Sequence, residues 1–111
     1  MKDCIFCQIV SKKIPARVFF EDKEVMVFSD IKPKAPVHLL IIPKKHLKNI
    51  EAVSSRHNRI FASLILTAKK MAKELGLSGK GYRLIINNGH WAGQVVPHLH
   101  LHLLGGKKLA F

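Results

Sequence analysis

Residues 98–104 read His-Leu-His-Leu-His-Leu-Leu, so three histidines alternate strictly with leucines. Side chains along a strand point to opposite faces with period two. The spacing therefore predicts a strand with His98, His100 and His102 on one face and Leu99, Leu101 and Leu103 on the other. A neutral imidazole is a nucleophile toward phosphorus near pH 7, and flanking imidazoles can orient it and protonate a leaving group. The row cannot put all three rings on one ion. At about 3.3 Å per residue the outer Cα atoms lie about 13 Å apart, whereas Zn–N bonds are about 2.0 Å. Two adjacent members could still ligate zinc with help from elsewhere, so covalent and metal-hydroxide chemistry both stand on the row alone.

Two further groups carry chemistry. Cys4 and Cys7 are spaced Cys-x-x-Cys, which in a cytosolic chain points to metal or redox work rather than a structural disulfide. His38 is the one polar side chain in the apolar run 37–42 between Pro36 and Pro43. His57 and His90 have no role that the sequence argues for.

These residues need elements to position them. The chain has 111 residues, 48% of them apolar, which fits one domain over 1–111 with a modest core. No apolar run approaches 18 residues, and Lys2-Asp3 leads into amphipathic sequence rather than a leader, so a cytoplasmic protein without a membrane span is expected. Apolar Ile5, Phe6, Ile9 and Val10 predict a short helix over 4–11. Residues 17–20 and 25–28 are β-branched and aromatic around a charged turn, a hairpin. Residues 37–42 form a third strand, 82–87 a fourth and 99–104 a fifth, with a Gly-containing loop over 88–96. Ile60, Phe61, Leu64, Ile65, Ala68, Met71, Ala72 and Leu75 follow helical spacing, so one long amphipathic helix runs over 54–75, capped by Ser54 or Ser55 and closed by Gly76. Strands in hairpins with one long and one short helix make the fold class α+β, a five-stranded antiparallel sheet.

Nineteen Lys and Arg against seven Asp and Glu give a formal charge of +12. Such a field attracts polyanions. The cations are scattered without aromatic interleaving, so a solvated surface is favoured over a nucleic-acid interface. The same field would draw in a phosphorylated small molecule.

The row, preceded by Gly93-Gln94 and followed by Gly105-Gly106, resembles the histidine triad (HIT) family of nucleotide hydrolases and transferases. Residues 30–46, Asp-Ile-Lys-Pro-Lys-Ala-Pro-Val-His-Leu-Leu-Ile-Ile-Pro-Lys-Lys-His, resemble that family's second signature and its Hint branch, and 82–87 also match. The resemblance implies a two-fold homodimer with a continuous ten-stranded sheet. It implies hydrolysis of purine nucleoside 5′-phosphoramidates, adenosine preferred, through a nucleotidyl-histidine. His100 would be the nucleophile. His102 would contact phosphate and help protonate the leaving group, and His98 and His38 would orient or polarise the nucleophile. Asp30 would accept hydrogen bonds from the ribose hydroxyls, with Ile31 at the ribose and base. Ile5, Phe6, Ile9 and Phe28 would wall the purine. Asn87 and the backbone of Gly93, Gln94 and Val95 would hold phosphate. Zinc-carrying members are resembled by Cys4 and Cys7, with His46 and His98 completing a closed, structural Cys2His2 set. No organic cofactor is implied. A dinucleoside polyphosphate hydrolase or a nucleotide-binding regulatory module are the alternatives. Val95 and Pro97 depart from the family, which usually has a polar residue and often an aromatic there, and many relatives continue further past the triad than Phe111.

Overall fold

The computed structural model describes residues 3–111; Lys2, invoked above against a leader, lies outside them. The elements run α1 (Ile5–Val10), β1 (Val18–Glu21), β2 (Val25–Ser29), β3 (Val37–Pro43), α2 (Asn58–Glu74), β4 (Arg83–Ile85) and β5 (Leu101–Gly105), with short 3-10 turns at Ile50–Ala52, Ser55–His57 and His90–Ala92. The five strands form one sheet in the order β1-β2-β3-β5-β4, antiparallel throughout. This is the expected α+β architecture.

Period-two alternation sends successive residues of β2 and β3 to opposite faces. Val25, Val27, Leu39 and Ile41 join Leu99, Leu101 and Leu103 beneath α2, against Leu64, Ala68, Met71 and Ala72. Met26, Phe28, Leu40 and Ile42 pack with Cys4, Phe6 and Ile9 of the α1 segment. Because α1 covers that second face only in part, a depression remains beside it.

Three expected boundaries shift. The fifth strand begins at Leu101, so His98 and His100 precede it rather than lie within it. The β3–β5 ladder pairs Ile41 with Leu101, and its continuation would set Pro43 opposite Leu99. Proline has no N–H for the ladder, the Pro43 carbonyl is taken by the His98 ring, and the Leu99 amide donates to the Leu47 carbonyl instead. The fourth strand contracts from 82–87 to Arg83–Ile85, because its one partner is β5 and pairing stops at Ile85 with His102. The helix over 54–75 starts with a 3-10 turn at Ser55–His57 before α2 proper; Ser54 caps that turn, in a box closed by the His57 side chain.

Candidate active site

His98, His100 and His102 do share a face. Behind them the leucines are buried, and in front Phe6 meets His98 and His100 edge-on, at ring centroid separations of 5.8 and 5.2 Å. The three rings have different surroundings.

His100 and His102 reach a cavity of about 570 Å³, with their ring centroids 5.0 Å apart. The His100 Nδ1 lies 2.7 Å from the His98 carbonyl oxygen. A carbonyl only accepts, so Nδ1 carries the proton and the neutral ring keeps its lone pair on Nε2. His102 Nδ1 lies 2.9 Å from Nε2 of His38, whose strand β3 neighbours β5. Asp30 Oδ2 lies 3.4 Å from the same His38 Nε2, and its Oδ1 accepts the Lys32 amide. Burial, then the neighbouring His100 and His38, push the His102 pKa down to about 4. Burial lowers that of His38 too, opposed by the Asp30 charge.

His98 is turned away from this cavity. Its Nε2–H donates to the Pro43 carbonyl at 2.8 Å, which leaves the Nδ1 lone pair facing Cys4 Sγ at 3.3 Å and Cys7 Sγ at 3.6 Å. His46 Nδ1 lies 3.3 Å from Cys7 Sγ. The four candidate ligand atoms fall within 4.8 Å of one another, and the sulfur–nitrogen contacts of 3.3 to 3.6 Å match the spacing of about 3.3–3.8 Å that tetrahedral Zn–S and Zn–N bonds of about 2.3 and 2.0 Å set. Burial holds His98 down to about 4 and lowers His46; burial and then Cys4 push the Cys7 thiol up. Neutral imidazoles and two thiols that release protons on binding are the donor set a zinc ion takes. The set fits zinc and leaves no position open for substrate.

Of the residues expected at the nucleotide, Ile5, Phe6, Ile9, Phe28, Asp30, Ile31, Asn87, Gly93 and Val95 line the cavity. Ile31 is 91% exposed and Val95 88% exposed, so both stand at its rim. Gln94 is not on that wall. Its side chain accepts the Gly89 amide and donates to the Lys48 and Val96 carbonyls, and its own amide donates to the Gly89 carbonyl, so it braces the loop instead of facing phosphate. The sequence reading missed Ile14, Pro15, Ala16, Ser29, Leu40 and Val96 on the wall, together with the cations Arg17, Lys32 and Lys34. The proximity of both lysines to Asp30 in sequence was the available signal.

Comparison with known proteins agrees with this geometry. A family model described as the HIT domain matches residues 11–109. An uncharacterised HIT-like protein of Synechococcus elongatus is 44% identical over 110 residues, covering 99% of this chain and 96% of the relative. Among solved structures, a HIT family hydrolase from Legionella pneumophila superposes with a TM-score of 0.96 at 49% identity, covering 98% of this chain and 97% of the other. A histidine triad nucleotide-binding protein from Candida albicans gives a TM-score of 0.84 at 33% identity, covering 98% and 85%.

Proposed function

Since the chain belongs to the HIT domain family, we propose that it is a Hint-like hydrolase of purine nucleoside 5′-phosphoramidates, working through a nucleotidyl-His100 intermediate. The observation that carries this reading is the state of His100. Its Nδ1–H is held by the His98 carbonyl, so Nε2 is the nucleophilic atom, on a ring that lines a nucleotide-sized cavity.

In this reading the purine sits among Ile5, Phe6, Ile9 and Phe28, and Asp30 accepts the ribose hydroxyls beside Ile31. His100 Nε2 bonds to the α-phosphorus as the P–N bond breaks, and the departing nitrogen is protonated on the His102 side. Water then cleaves the Nε2–P bond and releases the nucleoside monophosphate. Asn87 and the backbone around Gly93 and Val95 face the phosphate oxygens; the Gln94 amide is already spent within the loop. His98 serves the nucleophile through its main chain, and its ring, with Cys4, Cys7 and His46, would hold structural zinc. When bound, zinc supplies a crosslink between α1 and the triad segment. Two copies pairing edge to edge would extend the sheet to ten strands. Among the described residues no helix is long and apolar enough to cross a membrane, and we infer a cytoplasmic location.

A second reading has one observation in its favour. Arg17, Lys32 and Lys34 line the cavity wall, and Asp30 is the single carboxylate among the lining residues, a balance that also suits the further phosphates of a dinucleoside polyphosphate. Measuring kcat/KM on an adenosine phosphoramidate and on a diadenosine polyphosphate, with an AMP titration alongside, decides between them. A preference for the phosphoramidate is expected. Faster turnover of the polyphosphate would transfer the assignment, and tight AMP binding with no turnover of either would make the chain a nucleotide-binding regulatory module.

A further inference from the structure

The hydrogen bonds behind His102 run in one direction, and the direction is set by a main-chain amide. The Lys34 N–H lies 3.1 Å from Nδ1 of His38. An amide N–H can only donate, so His38 Nδ1 is an acceptor and the proton of the neutral ring sits on Nε2. That Nε2–H is donated to His102 Nδ1 at 2.9 Å, with Asp30 Oδ2 beside it at 3.4 Å. With His102 Nδ1 accepting, the neutral His102 ring must carry its proton on Nε2. That atom is buried and has no partner, on a ring that lines the cavity.

We infer that the main-chain amide of Lys34 is a positioning group for catalysis, which fixes the tautomers of His38 and His102 so that His102 presents an Nε2–H donor to the phosphoryl group. The catalytic part of this inference rests on the proposed phosphoryl chemistry; the tautomer assignment does not. The same wiring gives Asp30, His38 and His102 a role other than metal binding. Their candidate ligand atoms lie within 4.8 Å of one another, but His38 Nε2 holds a proton where an ion would need a lone pair. Moving that proton to Nδ1 would set it against the Lys34 N–H. Burial, rather than the wiring, is the main reason both rings stay neutral, with His38 a smaller contribution at His102.

A buried donor at a developing charge is worth up to about 10²- to 10³-fold in kcat when it is removed outright. Losing only the tautomer bias costs less. Lys34 is exposed and in a loop, and Lys34→Pro deletes the amide hydrogen, whereas Lys34→Ala deletes only the side chain. Long-range ring 15N spectra of wild type and both variants at pH 7, beside kcat on an adenosine phosphoramidate and AMP affinity, test the inference. Expected are protonated Nε2 and bare Nδ1 on both His38 and His102 in wild type and Lys34→Ala. In Lys34→Pro, mixed tautomers are expected, with kcat about tenfold below that of Lys34→Ala and AMP affinity within about threefold of that same variant. A wild-type spectrum with Nδ1–H on either ring overturns the inference whether or not Lys34→Pro folds. So does a folded Lys34→Pro that keeps the Nε2–H tautomers or matches the Lys34→Ala rate. If wild type turns over no phosphoramidate, the functional reading falls while the ring spectra still decide the tautomers.

Discussion

His98 does two jobs with two different parts. Its ring is fully buried against Cys4, Cys7 and the Pro43 carbonyl, while its own carbonyl takes the His100 Nδ1–H. Periodicity could show that three histidines share a face; it could not show that the first ring belongs to another cluster, because that depends on where α1 and the residue after Lys45 come to lie. The regular alternation of the row therefore hides a division between His98 on one side and His100 with His102 on the other. Val95 is where a residue-scale expectation is sharpest. It lines the cavity with most of its side chain exposed, so a hydroxyl placed there has room to donate to phosphate or leaving group. Val95→Ser is expected to raise kcat on an adenosine phosphoramidate about tenfold, roughly 1.4 kcal/mol of transition-state stabilisation, with little change in AMP affinity. Steady-state kinetics with a parallel AMP titration checks it. A neutral or harmful effect in a folded variant would mean that the loop suits a different leaving group.

At the scale of elements, strands and helices were legible wherever apolar residues run together or recur at helical spacing. The hairpin and the 37–42 run are apolar stretches bounded by charge or proline, the long helix has strong periodicity, and each formed within a few residues of its expected bounds. The misses share a cause in long-range geometry. Pro43 opposite Leu99 ends the β5 ladder early, and the short β5 in turn limits β4. Likewise the cavity wall contributed by 14–17 exists because the segment after α1 passes over β2, which no local pattern encodes. The α1 segment is also the natural place to test the metal. Cys4 caps α1 through its sulfur, accepting the Cys7 amide, so both cysteines hold the helix that supplies Phe6 to the cavity. Elemental analysis is expected to find about one zinc per chain, absent from a Cys4→Ser, Cys7→Ser double variant whose Tm is lower. A metal-free protein that melts at the wild-type temperature would contradict the crosslinking role. If chelation removes activity while leaving the fold intact, the metal is doing chemistry rather than holding α1.

For the whole molecule, the sheet sandwiched between α2 and the shorter α1 buries rings that resist protonation. His98 and His102 are both held near a pKa of about 4 in the folded protein, chiefly by burial, against about 6.5 in an unfolded chain. Between those values the unfolded state binds more protons, so stability rises with pH there. The contribution is complete above about pH 6.5, lost as pH falls toward 4, and absent below it. In metal-free protein, Tm is expected to be flat from pH 7 to 8 and to fall from pH 6.5 to 4, with a smaller fall in His102→Asn. Equal slopes in the two proteins would remove His102 from the linkage. The large positive charge gives the molecule a field that favours phosphorylated ligands, but charge and shape do not say whether phosphorus is ever bonded to protein. That is decided by mixing the enzyme with an adenosine phosphoramidate, quenching in alkali on the millisecond scale, and mapping the adduct by mass spectrometry. A nucleotidyl group on His100 is expected, formed no slower than turnover, and lost with turnover in His100→Ala while AMP still binds. Turnover without any adduct, or more than a few per cent of wild-type kcat in His100→Ala, would rule out the covalent route.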